Sequence, residues 1–313
     1  MQITVKDLVH TFLAKTPYEL NAIDNVNVSI KQGEFVGIIG QTGSGKTTFI
    51  EHLNALLLPS VGSVEWVFEN DKINHTTGEK EKFMESFVIK PTRRKKVKKA
   101  KDLRKRVGVV FQFAEYQLFE ETIEKDIAFG PRSFGVSKQE ALERAAKYIK
   151  LVGLDESFLK RSPFELSGGQ KRRVALAGIL AMEPDFIIAD EPTAGLDPVG
   201  VIEILNIFKE LHKQGKTVII VTHDLDNVLE YTQRVLAFKD GKIVKDGDTH
   251  DVLRDTEFLK NNYMEPPKLL DFVSKLEEKG ISVPRVTSID ELASFINKYM
   301  NKKSKKGGVK DEQ

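Results

Sequence analysis

Residues 35–48 read Phe35-Val36-Gly37-Ile38-Ile39-Gly40-Gln41-Thr42-Gly43-Ser44-Gly45-Lys46-Thr47-Thr48. Phe35 to Ile39 is a short apolar run of the kind a buried strand makes. The run from Thr47 to Leu58 has a helical pattern and is stopped by Pro59. Between them, Gly40 to Thr47 fits the G-x-x-x-x-G-K-[S/T] phosphate loop. Its glycines let backbone N–H groups point inward around a β-phosphate, and the helix behind presents its positive N-terminus. Lys46 then reaches the β/γ oxygens, and the Thr47 hydroxyl can bind Mg²⁺. A chance glycine turn explains the glycines, but not a lysine and a hydroxyl at these positions between a strand and a helix. The stretch predicts nucleotide binding, with Gly40 to Thr48 as the cradle.

A second apolar run, Phe186-Ile187-Ile188-Ala189, ends in Asp190-Glu191. A buried strand that stops on a carboxylate sets Asp190 beside the phosphate loop, where it can hold Mg²⁺ through water. Glu191 projects past the strand end and is the natural general base for an attacking water. An isolated Asp-Glu pair would read as a solvated turn; beside a phosphate loop it reads as metal ligand and base. A third run, Thr217 to Val221, and helical stretches at 137–152, 171–182, 199–213 and 226–231 complete a strand–helix alternation. That pattern predicts an α/β fold with a parallel sheet covered by helices. The alternating Ile3, Val5, Val26, Val28 and Ile30 predict further strands at the start of the chain.

Cysteine is absent from the 313 residues, which excludes a disulfide scaffold, a thiol nucleophile and a cysteine zinc site. No apolar run approaches the roughly 18 residues of a membrane span. The opening MQITVKDLVHTF lacks the apolar core of a signal peptide. The expectation is a soluble, intracellular chain, at most peripheral to a membrane. The net charge of +2 hides an asymmetry, because eleven Lys/Arg lie between Lys90 and Arg106 against the single acid Asp102. This is a basic block in an otherwise mildly acidic protein, unlike a uniformly basic nucleic-acid binder.

Leu166-Ser167-Gly168-Gly169-Gln170 precedes a helix opening Lys171-Arg172-Arg173. A serine hydroxyl, glycine N–H groups and a helix N-terminus aimed at one point make a second anion site. A Ser/Gly cap explains Ser167-Gly168 but not the pentapeptide. With these motifs in the family's order, residues 1 to about 248 resemble the ATP-binding-cassette (ABC) ATPases. The resemblance implies a phosphate-loop ATPase with a RecA-like, largely parallel sheet core. It also implies an N-terminal antiparallel β subdomain, a helical signature subdomain and a C-terminal helical extension over 249–313. ATP and Mg²⁺ are the implied ligands and ATP hydrolysis the implied activity.

The same resemblance assigns roles. Gln112 matches the glutamine that contacts Mg²⁺ and attacking water, and Asp197 is the acid of Ala194-Gly195-Leu196-Asp197. His223 matches the switch histidine that contacts the γ-phosphate. Ser167, Gly168, Gly169 and Gln170 would serve the nucleotide of a partner cassette in a head-to-tail dimer. Adenine should stack on an aromatic of the first strands; Phe12 is the choice over Tyr18, though either can be a packing residue. His10, His52, His75, His212 and His250 read as structural.

One cassette in the chain disfavours translation-factor ATPases with two. No long heptad insertion separates the motifs, which argues against chromosome-maintenance ATPases. The segment Phe111-Gln-Phe-Ala-Glu-Tyr-Gln-Leu-Phe through Pro131 resembles energy-coupling-factor (ECF) transporters. Thr16-Pro17-Tyr18-Glu19 and Glu51-His52-Leu53-Asn54 look like the second of their two ATPase subunits. That resemblance implies a heterodimer with a paralogous ATPase, a transmembrane scaffold (T component) and a membrane subunit (S component) that captures a vitamin or transition-metal ion. The chain would sit on the cytoplasmic face of the membrane, with Leu118 and Phe119 in or near the groove for a coupling helix. The alternatives are the ATPase of another importer, or a soluble nucleic-acid- or ribosome-associated ATPase.

Residues 67 to about 106 depart from the family pattern. Residues 67–100 are polar, lysine-rich and weakly periodic, and they read as an insertion on the surface with a basic end. It is either a solvated loop or a contact for anionic lipid headgroups. Nucleic-acid binding is disfavoured because the block lacks interleaved aromatics. Lys268–Lys279 and Ser288–Tyr299 read as amphipathic helices, the second opened by the capping box Ser288-Ile-Asp-Glu291. The end, KKSKKGGVKDEQ, reads as frayed.

Overall fold

The run Phe35–Ile39 is buried at every position, as are Phe186–Asp190 and Thr217–Val221. Strands buried on both faces need covering on both, and the computed structural model, which describes residues 1–73, 80–92 and 100–307, supplies it. The strands are β1 (Gln2–Phe12), β2 (Leu20–Lys31), β3 (Phe35–Ile39), β4 (Val61–Ile73), β5 (Lys80–Ile89), β6 (Val107–Val110), β7 (Phe186–Asp190), β8 (Thr217–Val221), β9 (Arg234–Lys239) and β10 (Lys242–Asp248). Among the described residues they form two sheets, ordered β2-β1-β4-β5 and β10-β9-β3-β8-β7-β6. The first is antiparallel throughout. In the second, β9, β3, β8, β7 and β6 run parallel and only the β9–β10 edge is antiparallel.

Sheet order places the chemistry. β3 and β7 both end at the same edge, with β8 between them. The loops after β3, β7 and β8 therefore meet, which is where open α/β sheets bind ligands. Helix α1 (Lys46–Leu53) leaves the glycine loop and turns Phe49, Ile50, His52 and Leu53 into the core between the two sheets.

Much of the segment read as a surface insertion forms an antiparallel strand pair, while residues 74–79 lie outside the described residues. β4 and β5 pair without a shift from Val64↔Ile89 to Ile73↔Lys80. Trp66 and Phe68 are buried while Phe83, Met84 and Val88 are exposed. Met84 and Val88 are apolar yet face outward, so the sequence there does not alternate cleanly. Helix α2 (Ala100–Arg106) follows, with Leu103 as its buried anchor. Residues 93–99, which hold much of the basic block, lie outside the described residues.

Helices α3 (Ile123–Ser133), α4 (Lys138–Leu151) and α5 (Gly168–Leu180) pack with α6 (Pro198–Lys213) in a second core that includes Ile127, Ile149, Leu176 and Phe208. Arg172 on α5 ties three segments together. Its guanidinium donates to both oxygens of Glu115, at 2.9 and 3.2 Å, and to the carbonyl of Ala194. Glu115 sits in the 3₁₀ turn Ala114–Gln117, just after Gln112.

A third core joins Ile39 and Val235 of the sheet to α7 (Leu225–Tyr231), α8 (Thr249–Arg254), α9 (Thr256–Asn261), α10 (Lys268–Glu278) and α11 (Ile289–Gly307). Asp226 Oδ1 of α7 accepts from the Lys268 backbone N–H at 2.8 Å and so caps α10 from a neighbouring helix. The helix read as ending near Tyr299 continues to Gly307, through the first half of the stretch read as frayed; residues 308–313 lie outside the described residues. Among the described residues, no helix is long and apolar enough to cross a membrane.

Candidate nucleotide site

The glycine loop is held in shape by close backbone approach. Gly45 has φ +101°, and a Cβ there would stand 2.6 Å from the Ala22 carbonyl oxygen. Gly40 has φ +142°, and its Cβ would meet the Phe238 carbonyl oxygen at 2.3 Å. Any side chain at either position forces the loop open.

Lys46 Nζ lies inside the loop and donates to the Gly40 and Gln41 carbonyls at 2.7 and 2.8 Å. Burial pulls its pKa below the ordinary lysine value, against the carboxylates of Glu191 and Asp190, which favour the charge. A partly desolvated cation without a carboxylate in contact is poised to receive an anion.

Thr47 Oγ1 donates to Asp190 Oδ2 at 2.9 Å, joining α1 to the end of β7. Burial raises the pKa of Asp190; the Thr47 hydrogen bond opposes the shift, the Glu191 charge adds to it, and Lys46 opposes it. A cation beside this carboxylate relieves the strain of burying it. Hydroxyl, carboxylate and the Gln112 amide are hard oxygen donors, which fits Mg²⁺.

Glu191 is the first residue after β7. Its backbone is in the left-handed region, φ +48°, and its N–H donates to the Val221 carbonyl at 2.8 Å. That conformation costs a non-glycine residue about 1–3 kcal/mol and here aims the carboxylate across the strand ends. His223 Nδ1 donates to Glu191 Oε1 at 2.8 Å, and Thr222 Oγ1 to Oε2 at 3.2 Å. The ring directed by resemblance at a γ-phosphate thus rests on Glu191.

These groups line one cavity of about 650 Å³. Its lining includes Thr42, Gly43, Gly45, Lys46, Thr47 and Thr48 of the loop and helix, Gln112, Asp190, Glu191 and His223, and Phe12 with Leu20 to Ala22. Tyr18 is 79% exposed and is not among the lining residues. Gly40 and Gln41 face an adjoining cavity with Thr42 and His223, and Ser44 is buried beneath the loop. Ser167 to Gln170 lie outside the cavity, where Ser167 caps α5 in a reciprocal box with Gln170. Asp197 is also outside, and its Oδ1 accepts from the Gly200 N–H at 2.7 Å to cap α6. Phe119 is exposed and meets Phe129 edge-on at 4.9 Å, while Leu118 packs on the α3–α5 core.

Sequence reasoning missed Thr222, Leu20 to Ala22, and the Asp240-Gly241 turn, which also lines the cavity. The Asp-Gly pair was a readable hairpin signal between β9 and β10. Its place against the loop was not readable, since that depends on Gly241 N–H donating to the Ser44 carbonyl at 3.0 Å.

A glycine loop on a helix N-terminus, beside a carboxylate that closes a parallel strand, defines a phosphate-loop nucleotide-binding protein. The model of the family described as ABC transporter matches residues 23–194. The energy-coupling factor transporter ATP-binding protein EcfA2 of Mycoplasmopsis pulmonis is 60% identical over 303 residues, 97% of this chain and 98% of that protein. The protein of the same name from Enterococcus faecalis is 45% identical over 302 residues, 96% of this chain and 98% of its own. Among solved structures, cbiO1 of Clostridium perfringens, part of the ABC transporter complex cbiONQ, superposes with a TM-score of 0.65 at 33% identity, covering 87% of this chain and 98% of that one. A dimeric, post-hydrolysis ATP-binding cassette bound to ADP and Pi gives 0.64 at 30% identity over 79% of this chain and 98% of its own. The chain belongs to the ABC transporter family and, within it, to the energy-coupling factor transporter ATP-binding proteins.

Proposed function

We propose that this chain binds and hydrolyses ATP as the second ATPase subunit of an energy-coupling factor importer. The observation that carries the reading is the convergence of Lys46, the Thr47–Asp190 pair and the Glu191–His223 pair on one cavity. Lys46 and the loop N–H groups hold the phosphates, and Phe12 receives the adenine. Thr47, Asp190 and Gln112 would hold Mg²⁺, which when bound neutralises charge on the β- and γ-phosphate oxygens. Glu191 accepts the proton of the attacking water. His223 is held by one hydrogen bond on an 80% exposed side chain, so its ring can leave Glu191 for the γ-phosphate.

Ser167 to Gln170 and Asp197 act on the nucleotide of a paralogous cassette, in keeping with their position outside this chain's own cavity. The chain divides into a cassette over 1–248 and a helical extension over 249–313. It is peripheral to the cytoplasmic face of the membrane, gripping a T component through the surface around Leu118 and Phe119. Hydrolysis then energises uptake of a vitamin or transition-metal ion selected by an S component.

Affinity purification of the chain from gently solubilised native membranes tests this assembly. Co-elution of a second cassette ATPase and an integral membrane scaffold is the expected result. Ribosomal or nucleic-acid partners without a membrane protein would overturn the transport reading and leave the ATPase chemistry standing.

A further inference from the structure

Two of the histidines read as structural form a buried relay between the phosphate helix and the base end of the cavity. His52 is 1% exposed on the inner face of α1, and His10 is 8% exposed on β1. His52 Nδ1 lies 2.7 Å from the Thr48 carbonyl oxygen, which accepts only, so this nitrogen carries the proton and Nε2 is left as an acceptor. His10 Nδ1 lies 3.1 Å from both His52 Nε2 and the Leu58 carbonyl, so it carries a proton and donates to both. Every polar atom in this chain of contacts has a fixed role, and the tautomers follow from the acceptors.

The His10 ring then meets the Phe12 ring edge-on, with centroids 4.4 Å apart and planes at 70°. The two residues are two apart on β1 and share its face. Phe12 lines the cavity, and His10 is buried behind it. An edge-on aromatic neighbour restricts which way a ring can turn.

We propose that His10, fixed by His52, is a positioning residue that holds the Phe12 ring in the orientation that stacks on the base of ATP. It acts only through Phe12 and touches no phosphate. The inference rests on Phe12 being the base platform, and it assigns a function to two side chains outside the phosphate machinery.

The test is calorimetric titration of the full chain, in Mg²⁺, with ATP and with inorganic tripolyphosphate, which has no base to stack. Base–aromatic stacking lost on truncation weakens binding by about 5- to 150-fold, so Phe12→Ala should fall in that range for ATP alone. His10→Ala should weaken ATP about 5- to 10-fold and leave tripolyphosphate within about twofold. His10→Asn keeps a donor for Leu58 and His52 while removing the ring edge, and should fold and show the same selective loss. In the Phe12→Ala background, His10→Asn should change nothing further. ATP affinity at wild-type level in His10→Asn, or equal losses for both ligands, would overturn the positioning role. Unchanged ATP affinity in Phe12→Ala would instead remove Phe12 as the platform, and the proposal with it.

Discussion

His223 Nδ1 and Thr222 Oγ1, neighbours at the end of β8, bind the two oxygens of the Glu191 carboxylate at 2.8 and 3.2 Å. One carboxylate, held in a left-handed backbone conformation, is thus gripped entirely from the adjacent strand. The His223 side chain in that grip is 80% exposed. In the proposed function its ring turns to the γ-phosphate, which leaves Oε1 free to take a proton from water.

Glu191→Gln should therefore bind ATP as the wild type does and turn over at least about 100-fold more slowly. Phosphate release and retained nucleotide, measured together in the assembled complex, check this. Wild-type turnover would remove Glu191 as the base.

The Thr47–Asp190 contact makes a separate prediction about metal. Thr47→Val keeps the shape of the side chain and removes the hydroxyl. The Mg²⁺ concentration for half-maximal hydrolysis should rise about 10- to 100-fold, the usual cost of disturbing a metal's supporting groups. Nucleotide binding in EDTA should stay unchanged. Equal losses with and without Mg²⁺ would mean that Thr47 serves only the fold.

Arg172 and Glu115 have side chains only 9% and 14% exposed and bond through both carboxylate oxygens. Burial alone would raise the Glu115 pKa, but the Arg172 hydrogen bonds and charge bring it below the ordinary value. Removing one partner of such a pair leaves the other charge buried, at about 3–5 kcal/mol. Arg172→Ala should show a loss of this size in denaturant unfolding. The wild type's share from Glu115 is present above the unfolded carboxyl pKa and lost as pH falls through the lower folded value. A shift below about 1 kcal/mol in Arg172→Ala would show that the pair is solvated.

Burial is the main cause that lowers the His52 pKa from 6.5 to about 4, with the hydrogen bond to the Thr48 carbonyl opposing it. The His10 pKa is also lowered, by burial. A folded value below the unfolded one means that the neutral pair stabilises fully above about pH 6.5. This contribution declines as pH falls toward 4, by on the order of 3 kcal/mol for His52. Unfolding free energies of the wild type and His52→Gln, compared between pH 7.5 and 4.5, should converge at the acid end. Parallel profiles would mean that His52 does not titrate in this window.

The parts of this protein legible in one dimension are those whose chemistry is local. The glycine loop, the strand before it, the carboxylates closing β7 and the Ser167–Gln170 box each lie within a few residues. Helices read from periodicity agree with α4, α6, α7 and α10 to within a residue at each end. The β4–β5 pair was not legible, because apolar Met84 and Val88 stand exposed and blur the alternation, and its register is fixed by pairing.

The sequence by itself pointed to nucleotide binding and to one loop for it, since glycines, a lysine and a hydroxyl at this spacing between a strand and a helix build an anion site from local geometry. Only the tertiary structure decided what surrounds that loop. Thr47 meets Asp190 across 143 residues of chain, Arg172 meets Glu115 across 57, and His52 meets His10 across 42. These contacts exist because β3, β8 and β7 stand side by side, β1 shares a core with the phosphate helix, and α5 packs on the turn after β6. Strand order and helix packing are properties of the whole buried core, which no window of sequence contains.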